Sequence, residues 1–335
     1  MYSITIWTEG GADIGMGHVV RSANLARLIM EGGIFVEFWV NDSPAVASYL
    51  EEFELRVHPL DAKRHVPATD LVILDTKKDV TELVKMLKRK GKKVMLIDNT
   101  TDAKKYADVA VIPSLFCKPF REKNVYTGKD FIILGESFRK ARERRHLEYS
   151  HPLKILVSMG GADPNNLTLK VVEALWNVKD IDVIVVIGPA YRHVDSLARY
   201  EAECRMGFNF IYGVKDIAPL TTLCHVGITA MGTTVNEFAY VGMPSIIIGN
   251  YPDDAEDMYT FNELNIGTAL GYHMDVEAEH IREAVEHLVD DERLWRAYST
   301  NARALIDGNG GLRVLKLINM MMEKNEAGFQ ATGSA

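Results

Sequence analysis

Short apolar runs alternate with longer amphipathic stretches along most of the chain. In the first half, runs of five or six residues predict buried strands at SITIW, FVEFWV, LVILD, KVMLID and VAVIP. Two of the intervening stretches, HVVRSANLARLIMEGG and DVTELVKMLKRKGKK, are amphipathic and end near glycine, as helices often do. This order of elements is typical of a parallel sheet built from successive strand and helix units.

The alternation stops at SFRKARERRHLEYSHPLK, residues 137–154, and then starts again. This charged run predicts a solvated helix and a linker, with a basic binding patch as the alternative. After it, a second set of strands is predicted at KILVSM, DVIVVIG, FNFIYG, HVGITAM and PSIIIG, and three helical segments follow between about Val276 and Glu323. The closing residues EAGFQATGSA show no periodicity, and we expect them to be disordered.

The pattern therefore predicts two α/β domains, each a doubly wound, Rossmann-like parallel sheet. We expect the first domain over residues 1–148, the second over 149–325 and a disordered tail over 326–335. A length of 335 residues agrees with two domains, because single cores rarely grow beyond about 250 to 300 residues. Ligands of such sheets bind beyond the carboxyl ends of the strands, and two facing domains would form an interdomain cleft.

Net charge and cysteine content limit which binding partners and which metal or disulfide sites are expected. A formal net charge of -8 argues against a general nucleic-acid or anionic-membrane surface but is compatible with a local phosphate site. The 3 cysteines, Cys117, Cys204 and Cys224, have no CxxC spacing and indicate neither a disulfide framework nor a zinc site. The N-terminus MYSITIWTEG lacks signal-peptide features, and no apolar run approaches the roughly 18 residues that cross a bilayer. We expect a cytoplasmic protein without stable membrane insertion.

Each predicted domain begins with a strand, a glycine-rich turn and a helix, in TEGGADIGMGHVVR and SMGGADPNNLTLKVVEAL. Small residues let the backbone approach a ligand, and the start of the following helix favours an anion such as phosphate. A dinucleotide fingerprint is disfavoured, because Val20 occupies the position of its third glycine after Gly15 and Gly17. The P-loop sequence GxxxxGK[ST] does not occur.

His18 falls in the first turn of the predicted helix. The positive end of a helix favours the neutral imidazole, which can accept a proton as a general base. Arg21 lies one turn further on the same face and could hold a charged or hydroxylated substrate. The alternative is structural, with His18 capping the helix and Arg21 solvated.

A third glycine-containing segment, AMGTTVNEFAYVGMPSIII, follows another predicted strand. Gly232, Thr233 and Thr234 supply N–H and hydroxyl donors at a helix start. Glu237, one turn further, could accept two hydrogen bonds from a ribose diol. A simple N-cap followed by a solvated glutamate would have the same sequence.

Taken together, these segments resemble the PseG nucleotide-sugar hydrolases of pseudaminic acid biosynthesis and the related SpsG spore-coat polysaccharide proteins. The resemblance lies in GMGHVVRSANLA, in SMGGADPNNLT and in VKDIAPLTTLCHVGITAMGTTVNEFAYVGMPSIII. It is carried by GxGHxxR together with the later Gly-Thr-Thr…Glu block, and it covers roughly residues 1–310. These families are similar to the glycosyltransferase MurG and share its GT-B fold of two facing Rossmann-like domains.

The resemblance implies hydrolysis of a UDP-linked 2,4-diacetamido-2,4,6-trideoxy sugar at its anomeric carbon, with inversion and without a metal or other cofactor. His18 would be the base that activates water. The partner implied is a small nucleotide sugar, linked to UDP or to another nucleoside diphosphate. Val214 would lie beside uracil, Thr233 and Thr234 would hold the diphosphate, and Glu237 would bind ribose. The predicted substrate contacts are Gly15, Met16, Gly17, Arg21, Gly160, Gly161, Val214, Met231, Gly232, Thr233, Thr234 and Glu237.

Several positions depart from the family pattern. Asp75-Thr76-Lys77 stands where the family places Asp-x-Tyr, and Lys77 is predicted to contact phosphate or a carboxylated sugar instead. Glu256 and Asp257 are expected at the sugar, where the family has amides. Carboxylates only accept hydrogen bonds whereas amides also donate, so a different sugar is expected.

Other functions stay open at this point. A GT-B glycosyltransferase would use the same donor site with an alcohol acceptor. A non-catalytic nucleotide-sugar binding module is compatible with the departures at Lys77 and Glu256. A nicotinamide oxidoreductase is disfavoured by the incomplete glycine fingerprint.

Overall fold

The computed structural model describes residues 2–53, 55–60, 66–203 and 205–330. Thirteen strands in this part of the chain form two sheets, and every strand pair is parallel. The strands are β1 (Ser3–Thr8), β2 (Phe35–Val40), β3 (Arg56–Pro59), β4 (Leu71–Asp75), β5 (Lys93–Ile97), β6 (Val109–Ile112), β7 (Val125–Thr127), β8 (Leu153–Ser158), β9 (Ile181–Ile187), β10 (Phe208–Tyr212), β11 (Val226–Ala230), β12 (Ser245–Gly249) and β13 (Gly267–Tyr272).

Helices connect most of these strands, as expected for parallel neighbours, which need crossover connections. Short 3₁₀ helices occur in several loops. The α-helices are α1 (Gly17–Glu31), α2 (Pro44–Leu50), α3 (Thr81–Arg89), α4 (Glu136–Arg144), α5 (Leu167–Leu175), α6 (Val194–Glu203), α7 (Ala218–Thr221), α8 (Thr233–Val241), α9 (Ala255–Glu263), α10 (Ala278–Asp290), α11 (Glu292–Leu305) and α12 (Gly310–Gln330).

The strand orders are those of doubly wound sheets. The first sheet runs β3-β2-β1-β4-β5-β6-β7, and the second runs β10-β9-β8-β11-β12-β13. The chain reverses its direction of winding between β1 and β4 in the first sheet, and between β8 and β11 in the second. Ligands of such sheets bind outside the carboxyl ends of the strands at these switch points. The predicted fold class of two Rossmann-like parallel-sheet domains is confirmed.

The central strands form because their apolar runs are buried on both faces. Every residue of β4, β11 and β12 is buried. In the second sheet, Ile155, Val157 and Ile228 belong to one large apolar cluster, and Val72 and Leu74 anchor a cluster of the first. All ten strands predicted from the sequence are present.

The chain divides by contacts into two compact units, and neither is one continuous segment. The first unit contains the residues up to Gly10, His18–Leu134 and the residues from Gly308 onward. The second contains Gly11–Gly17 and Gly135–Asp307. This division differs from the predicted boundary near residue 148, because α4 packs on α7 and α8 of the second unit. It also returns α12 to the first unit.

The C-terminal helix extends further than the sequence indicated. Apolar residues of α12, including Val314 and Ile318, are buried, and the Tyr2 hydroxyl donates to Asn319 Oδ1 at 2.6 Å. Once a helix is established, each added residue costs little, and α12 continues through 326–330, which were expected to be disordered. The rest of the predicted tail, 331–335, and Cys204 lie outside the described residues. No helix within the described ranges has both the length and the apolar character needed to cross a membrane.

The charged run at 137–154 is only partly solvated, so the prediction of a solvated helix and linker needs correction. Arg142 donates to the backbone carbonyls of Tyr240, Arg303 and Ile306, at the ends of α8 and α11. Arg145 is buried and donates to the carbonyls of three residues that lead into β11, namely Thr221, Cys224 and His225. Cationic side chains at helix ends and beside loop carbonyls satisfy buried hydrogen-bond acceptors.

We therefore expect Arg145→Met to destabilise the protein, because it leaves buried carbonyls without a donor. The loss in free energy of unfolding should be about 1 to 3 kcal/mol. Equilibrium urea unfolding followed by circular dichroism would measure it. The matched control is Arg144→Met, since Arg144 is exposed. Equal stabilities of the two variants would contradict this role of Arg145.

Candidate functional site

The first part of the candidate site forms at the carboxyl ends of β1 and β4. These strands pair in register, with Thr8 opposite Asp75 at their ends. A loop leads from β1 into α1, whose first turns carry His18, Arg21 and Ser22. All three side chains contact the carboxylate of Asp75. The switch point of the first sheet therefore brings together residues that are 53 to 57 positions apart.

Asp75 is completely buried and fully hydrogen-bonded. Its Oδ1 lies 2.6 Å from His18 Nδ1 and accepts from Arg21 Nη2 at 2.6 Å. Its Oδ2 accepts from Arg21 Nε and from Ser22 Oγ, both at 3.0 Å. Two carboxylate oxygens offer about four acceptor positions, and this arrangement uses all of them. The carboxylate is therefore fixed in one orientation.

This contact sets the tautomer of His18. An ionised carboxylate only accepts hydrogen bonds, so Nδ1 carries a proton and donates it to Asp75. Arg21 Nη2 lies 3.0 Å from Nδ1 because both donate to the same oxygen of Asp75. In the neutral ring Nε2 then has a free lone pair. The His18 side chain keeps 15% of its surface exposed, so the ring is accessible.

The charges in this cluster keep Asp75 ionised. Burial alone would raise the pKa of Asp75, but the guanidinium of Arg21 and the contact with His18 outweigh burial and lower it to about 2. Burial works against the charge of Arg21 as well, yet the carboxylates of Asp75 and Asp98 raise its pKa above the usual value. The pair therefore stays charged throughout the physiological range.

Arg21 occupies a different position from the one expected. Only 6% of its surface is exposed, and besides Asp75 it donates through Nη2 to Asp98 Oδ2 at 3.2 Å. The prediction that Arg21 holds the substrate and the alternative that it is solvated both fit poorly with this burial. Its guanidinium instead links the carboxylates at the ends of β4 and β5.

The loop before His18 belongs to the second unit. Gly11 and Gly15 form an isolated bridge of two backbone hydrogen bonds, and Gly15 has a φ of 85°. Met16 is buried against Gly161, where a Cβ would meet the Met16 side chain at 2.6 Å. Gly17 lies so close to Thr233 that a Cβ on it would approach Thr233 Oγ1 to 3.2 Å. The structure thus brings Met16 and Gly17 together with two other predicted contact positions, Gly161 and Thr233.

The first backbone N–H groups of α8 are not capped by the side chain of its N-cap residue. Its N-cap residue is Gly232, which makes no side-chain cap hydrogen bond. Thr233 and Thr234 form the first turn and are half-buried. Helix amides in this position are suited to an anionic group. The diphosphate contact of Thr233 and Thr234 stays a prediction.

Glu237, one turn further along α8, lies where its carboxylate is poorly solvated. Burial raises the pKa of Glu237 to about 7, the charge of Asp216 adds to this shift and the Thr234 hydroxyl offsets part of it. Asp216 is held in the preceding loop, where its Oδ1 accepts from the backbone N–H of Ala218 at 3.0 Å. Glu237 is therefore sensitive to pH in the neutral range.

The start of α5 differs from that of α8. Asp163, which is buried, accepts from the backbone N–H groups of Leu167 at 2.7 Å and Thr168 at 2.8 Å. The chain thus fills this helix start with its own carboxylate, and these two amides are not offered to a phosphate. The expectation of a second anion site at a helix start is corrected here, and Gly160 and Gly161 remain predicted contacts through their own backbone.

The other predicted contacts are placed in loops and at helix starts. Lys77 is exposed in the loop after β4, which the buried Asn99 holds by donating to the carbonyls of Thr76 and Lys78. Val214 and Met231 are half-buried in the second unit. Glu256 and Asp257 lie in the first turn of α9.

The buried neighbours of His18 were not predicted from the sequence. Asp75 was noted only as part of a departure from the family pattern, and its contacts depend on the pairing of β1 with β4. A usable signal was present, since a carboxylate at the end of a fully apolar strand, LVILD, lies at the edge where ligands of these sheets bind. Asp98, which follows KVMLI in the same way, carried the same signal.

Comparisons with known proteins agree with the resemblance predicted from the motifs. No family model matches the chain. The spore coat polysaccharide biosynthesis protein SpsG of Bacillus subtilis is 26% identical to it, over 96% of this chain and 99% of SpsG. An uncharacterised protein of Methanocaldococcus jannaschii is 27% identical over 73% of this chain, and the match spans 55% of that protein.

Solved structures with a similar fold include MurG, a complex of MnaA with UDP and a glycosyltransferase. MurG of Acinetobacter baumannii aligns with a TM-score of 0.68 at 14% identity, over 95% of this chain and 99% of MurG. The structure of MnaA from S. aureus with UDP gives 0.66 at 11% identity, over 96% and 97% of the two chains. The glycosyltransferase of kitacinnamycin gives 0.69 at 17% identity, over 95% and 98%. These alignments confirm the predicted GT-B fold.

Proposed function

We propose that this protein is an enzyme of polysaccharide biosynthesis that hydrolyses a UDP-linked amino or deoxy sugar at the anomeric carbon, with inversion. The similarity to SpsG and the GT-B fold support an enzyme that uses a nucleotide sugar. The observation that supports hydrolysis is the contact between Asp75 and His18. A histidine held by a buried carboxylate through Nδ1 presents a basic Nε2, which is the group that water activation requires.

In the proposed reaction, His18 Nε2 takes a proton from water as the water oxygen forms a bond to the anomeric carbon. The bond between that carbon and the diphosphate oxygen breaks, and its electron pair leaves with UDP. Asp75 stabilises the imidazolium that forms, because it is already ionised and in contact with Nδ1. Attack by water on the face opposite the leaving group inverts the configuration.

The leaving diphosphate needs donors for its growing charge. The open start of α8, with Thr233 and Thr234, is the part of the second unit best suited to supply them. Gly17 lies against Thr233 in that unit, and His18 is the next residue along the chain. Chain connectivity thus links the proposed diphosphate site to the proposed base.

The same pair could deprotonate an alcohol, and the similarity of fold to glycosyltransferases favours transfer as the second candidate. Incubation with UDP-N-acetylglucosamine, UDP-N-acetylgalactosamine and UDP-2,4-diacetamido-2,4,6-trideoxyhexoses, followed by NMR of the products, separates the two. Release of UDP and free sugar of inverted configuration without an acceptor is the expected result. Turnover only after addition of an alcohol acceptor would replace hydrolysis with transfer. Tight binding without turnover of any donor would contradict both.

The proposed ribose contact predicts a dependence of affinity on pH. A ribose diol donates hydrogen bonds, so it binds the ionised form of Glu237. Where Glu237 is protonated in the free protein, binding requires that its carboxyl group first lose the proton. With a pKa near 7, the ionised fraction rises steeply from pH 6 to pH 8, and the affinity for UDP-N-acetylglucosamine should rise by up to about tenfold. Isothermal titration calorimetry at both values would measure it.

Glu237→Gln provides the control for this prediction. The phosphates of a UDP-sugar are diesters that do not titrate in this range, so the variant should bind with the same affinity at pH 6 and pH 8. An affinity of the parent protein that does not change with pH would show that Glu237 does not contact the ribose.

A further inference from the structure

Asp98 differs from Asp75 in how its carboxylate is used. It follows directly on β5, next to β4, whose last residue is Asp75. Its side chain keeps 21% of its surface exposed, whereas that of Asp75 has none. Within the described ranges, its side-chain contact is with Arg21, which donates to Oδ2 at 3.2 Å. Oδ1 is therefore left to accept a hydrogen bond from outside the cluster.

The carboxylate of Asp98 lies close to His18. Arg21 Nη2 is 3.2 Å from Asp98 Oδ2, and the same nitrogen is 3.0 Å from His18 Nδ1. We expect a sugar whose anomeric carbon is within reach of a water on His18 to bring a ring substituent near Asp98. Because Arg21 holds Oδ2 and is itself fixed by Asp75, Asp98 presents Oδ1 in a defined direction.

The backbone of Asp98 is specialised for this position. Its φ is 56°, in the left-handed region that few residues other than glycine adopt, and its N–H donates to the carbonyl of Val111 at 2.9 Å. Asparagine and aspartate tolerate this conformation better than most residues, but glycine fits it without strain. The side chain at this position is thus not required by the backbone.

We propose that Asp98 selects the sugar, with its carboxylate accepting a hydrogen bond from a hydroxyl group of the sugar ring. This inference rests on the proposed function, since it assumes that a nucleotide sugar reaches His18. It assigns a substrate class, namely nucleotide sugars that present a hydroxyl donor near the anomeric centre. A sugar with a hydrogen-bond acceptor at that position is rejected, because two acceptors would face each other without a proton between them.

Calorimetry on the full chain tests the proposal with UDP, UDP-N-acetylglucosamine and UDP-N-acetylgalactosamine as probes. Asp98→Gly removes the carboxylate and suits the left-handed backbone, and Asp98→Asn keeps the shape but removes the charge. We expect both variants to bind UDP within about twofold of the parent. Asp98→Gly should weaken the tighter UDP-sugar by about 10- to 100-fold, and Asp98→Asn by less, as for a hydrogen bond to a charged group.

The matched control is Asp102→Asn, an exposed carboxylate a few residues further on that pairs with Lys105 at 2.7 Å. It should leave the affinities for all three probes unchanged. Deoxyfluoro analogues of the tighter UDP-sugar then identify the hydroxyl, because fluorine cannot donate. The analogue that binds weakly to the parent should lose no further affinity in Asp98→Gly.

The outcomes separate this proposal from the proposed function. Equal losses of affinity for UDP and the UDP-sugars in Asp98→Gly would mean a structural role and overturn the proposal. Unchanged affinity for every UDP-sugar in that variant would also overturn it. Failure of the parent protein to bind UDP at all would instead contradict the proposed function and, with it, the premise of this inference.

Discussion

Replacement of His18 by alanine is expected to lower the turnover of a UDP-linked sugar by about 10²- to 10⁴-fold, the usual contribution of a general base. Asp75 cannot replace His18 as the base, since its carboxylate is enclosed by donors from Arg21 and Ser22. Affinity for UDP should change by less than about twofold, because the proposed nucleotide contacts lie in the second unit. Steady-state release of UDP and calorimetry with UDP would measure the two quantities.

His18→Asn sharpens this test. The asparagine amide can still donate to Asp75, but it cannot accept a proton, so the loss of turnover should match that of His18→Ala. The matched control is His287→Ala in α10, which is exposed. Turnover in His18→Ala as fast as in the parent would remove His18 as the base and leave the proposed mechanism without its central group.

Substitution of Asp75 by asparagine should impair stability and turnover together. The amide cannot accept from all four donors, and among the described residues the buried guanidinium of Arg21 keeps Asp98 as its counter-charge. Breaking a buried ion pair in this way costs about 3 to 5 kcal/mol, which corresponds to a fall in Tm of about 10 °C. Turnover, measured below the new Tm, should fall by at least about 10²-fold because the tautomer of His18 is no longer fixed.

The effect of Asp75 on stability should depend on pH in a defined direction. The folded-state pKa, about 2, lies below the ordinary value of 3.8, so the carboxylate stabilises the fold above about pH 4. This contribution is lost as the pH falls from 4 towards 2. The difference in Tm between parent and Asp75→Asn should therefore shrink over that interval. Asp253→Asn, which alters an exposed carboxylate, is the control and should leave the Tm almost unchanged. A constant difference across that range would contradict the assigned ion pair.

The sequence was sufficient to predict the buried strands because their apolar runs are continuous. It missed β3 and β7, which form edges of the first sheet, and β13, which forms an edge of the second. Strand β3, RVHP, is largely exposed and contains proline, and β13, GTALGY, contains two glycines. Edge strands bury less surface, so their sequences carry weaker periodicity.

The candidate site was predictable only in part. His18 stood out because it follows a glycine-rich turn, which is a local pattern. The burial of Arg21 could not be read locally, because it depends on Asp75 and Asp98, which reach α1 only through the pairing of β1, β4 and β5. The capping of α5 by Asp163 likewise follows from a turn geometry, with a φ of 44° at Asp163, that the sequence did not indicate.

The return of α12 to the first unit has a consequence for how the protein folds during synthesis. Gly310 lies against Ile132, where a Cβ would approach the Ile132 carbonyl oxygen to 2.1 Å, and Gly311 lies against Leu28. Gly310 follows Ile132 by 178 positions and Gly311 follows Leu28 by 283 positions, so these contacts form only when the end of the chain has been made. During synthesis, most of the first unit therefore emerges early from the ribosome. Its apolar surface under α12 stays exposed until that last helix has been made. Variants truncated before Gly308 should expose that surface and associate with chaperones, although the second unit would be almost complete.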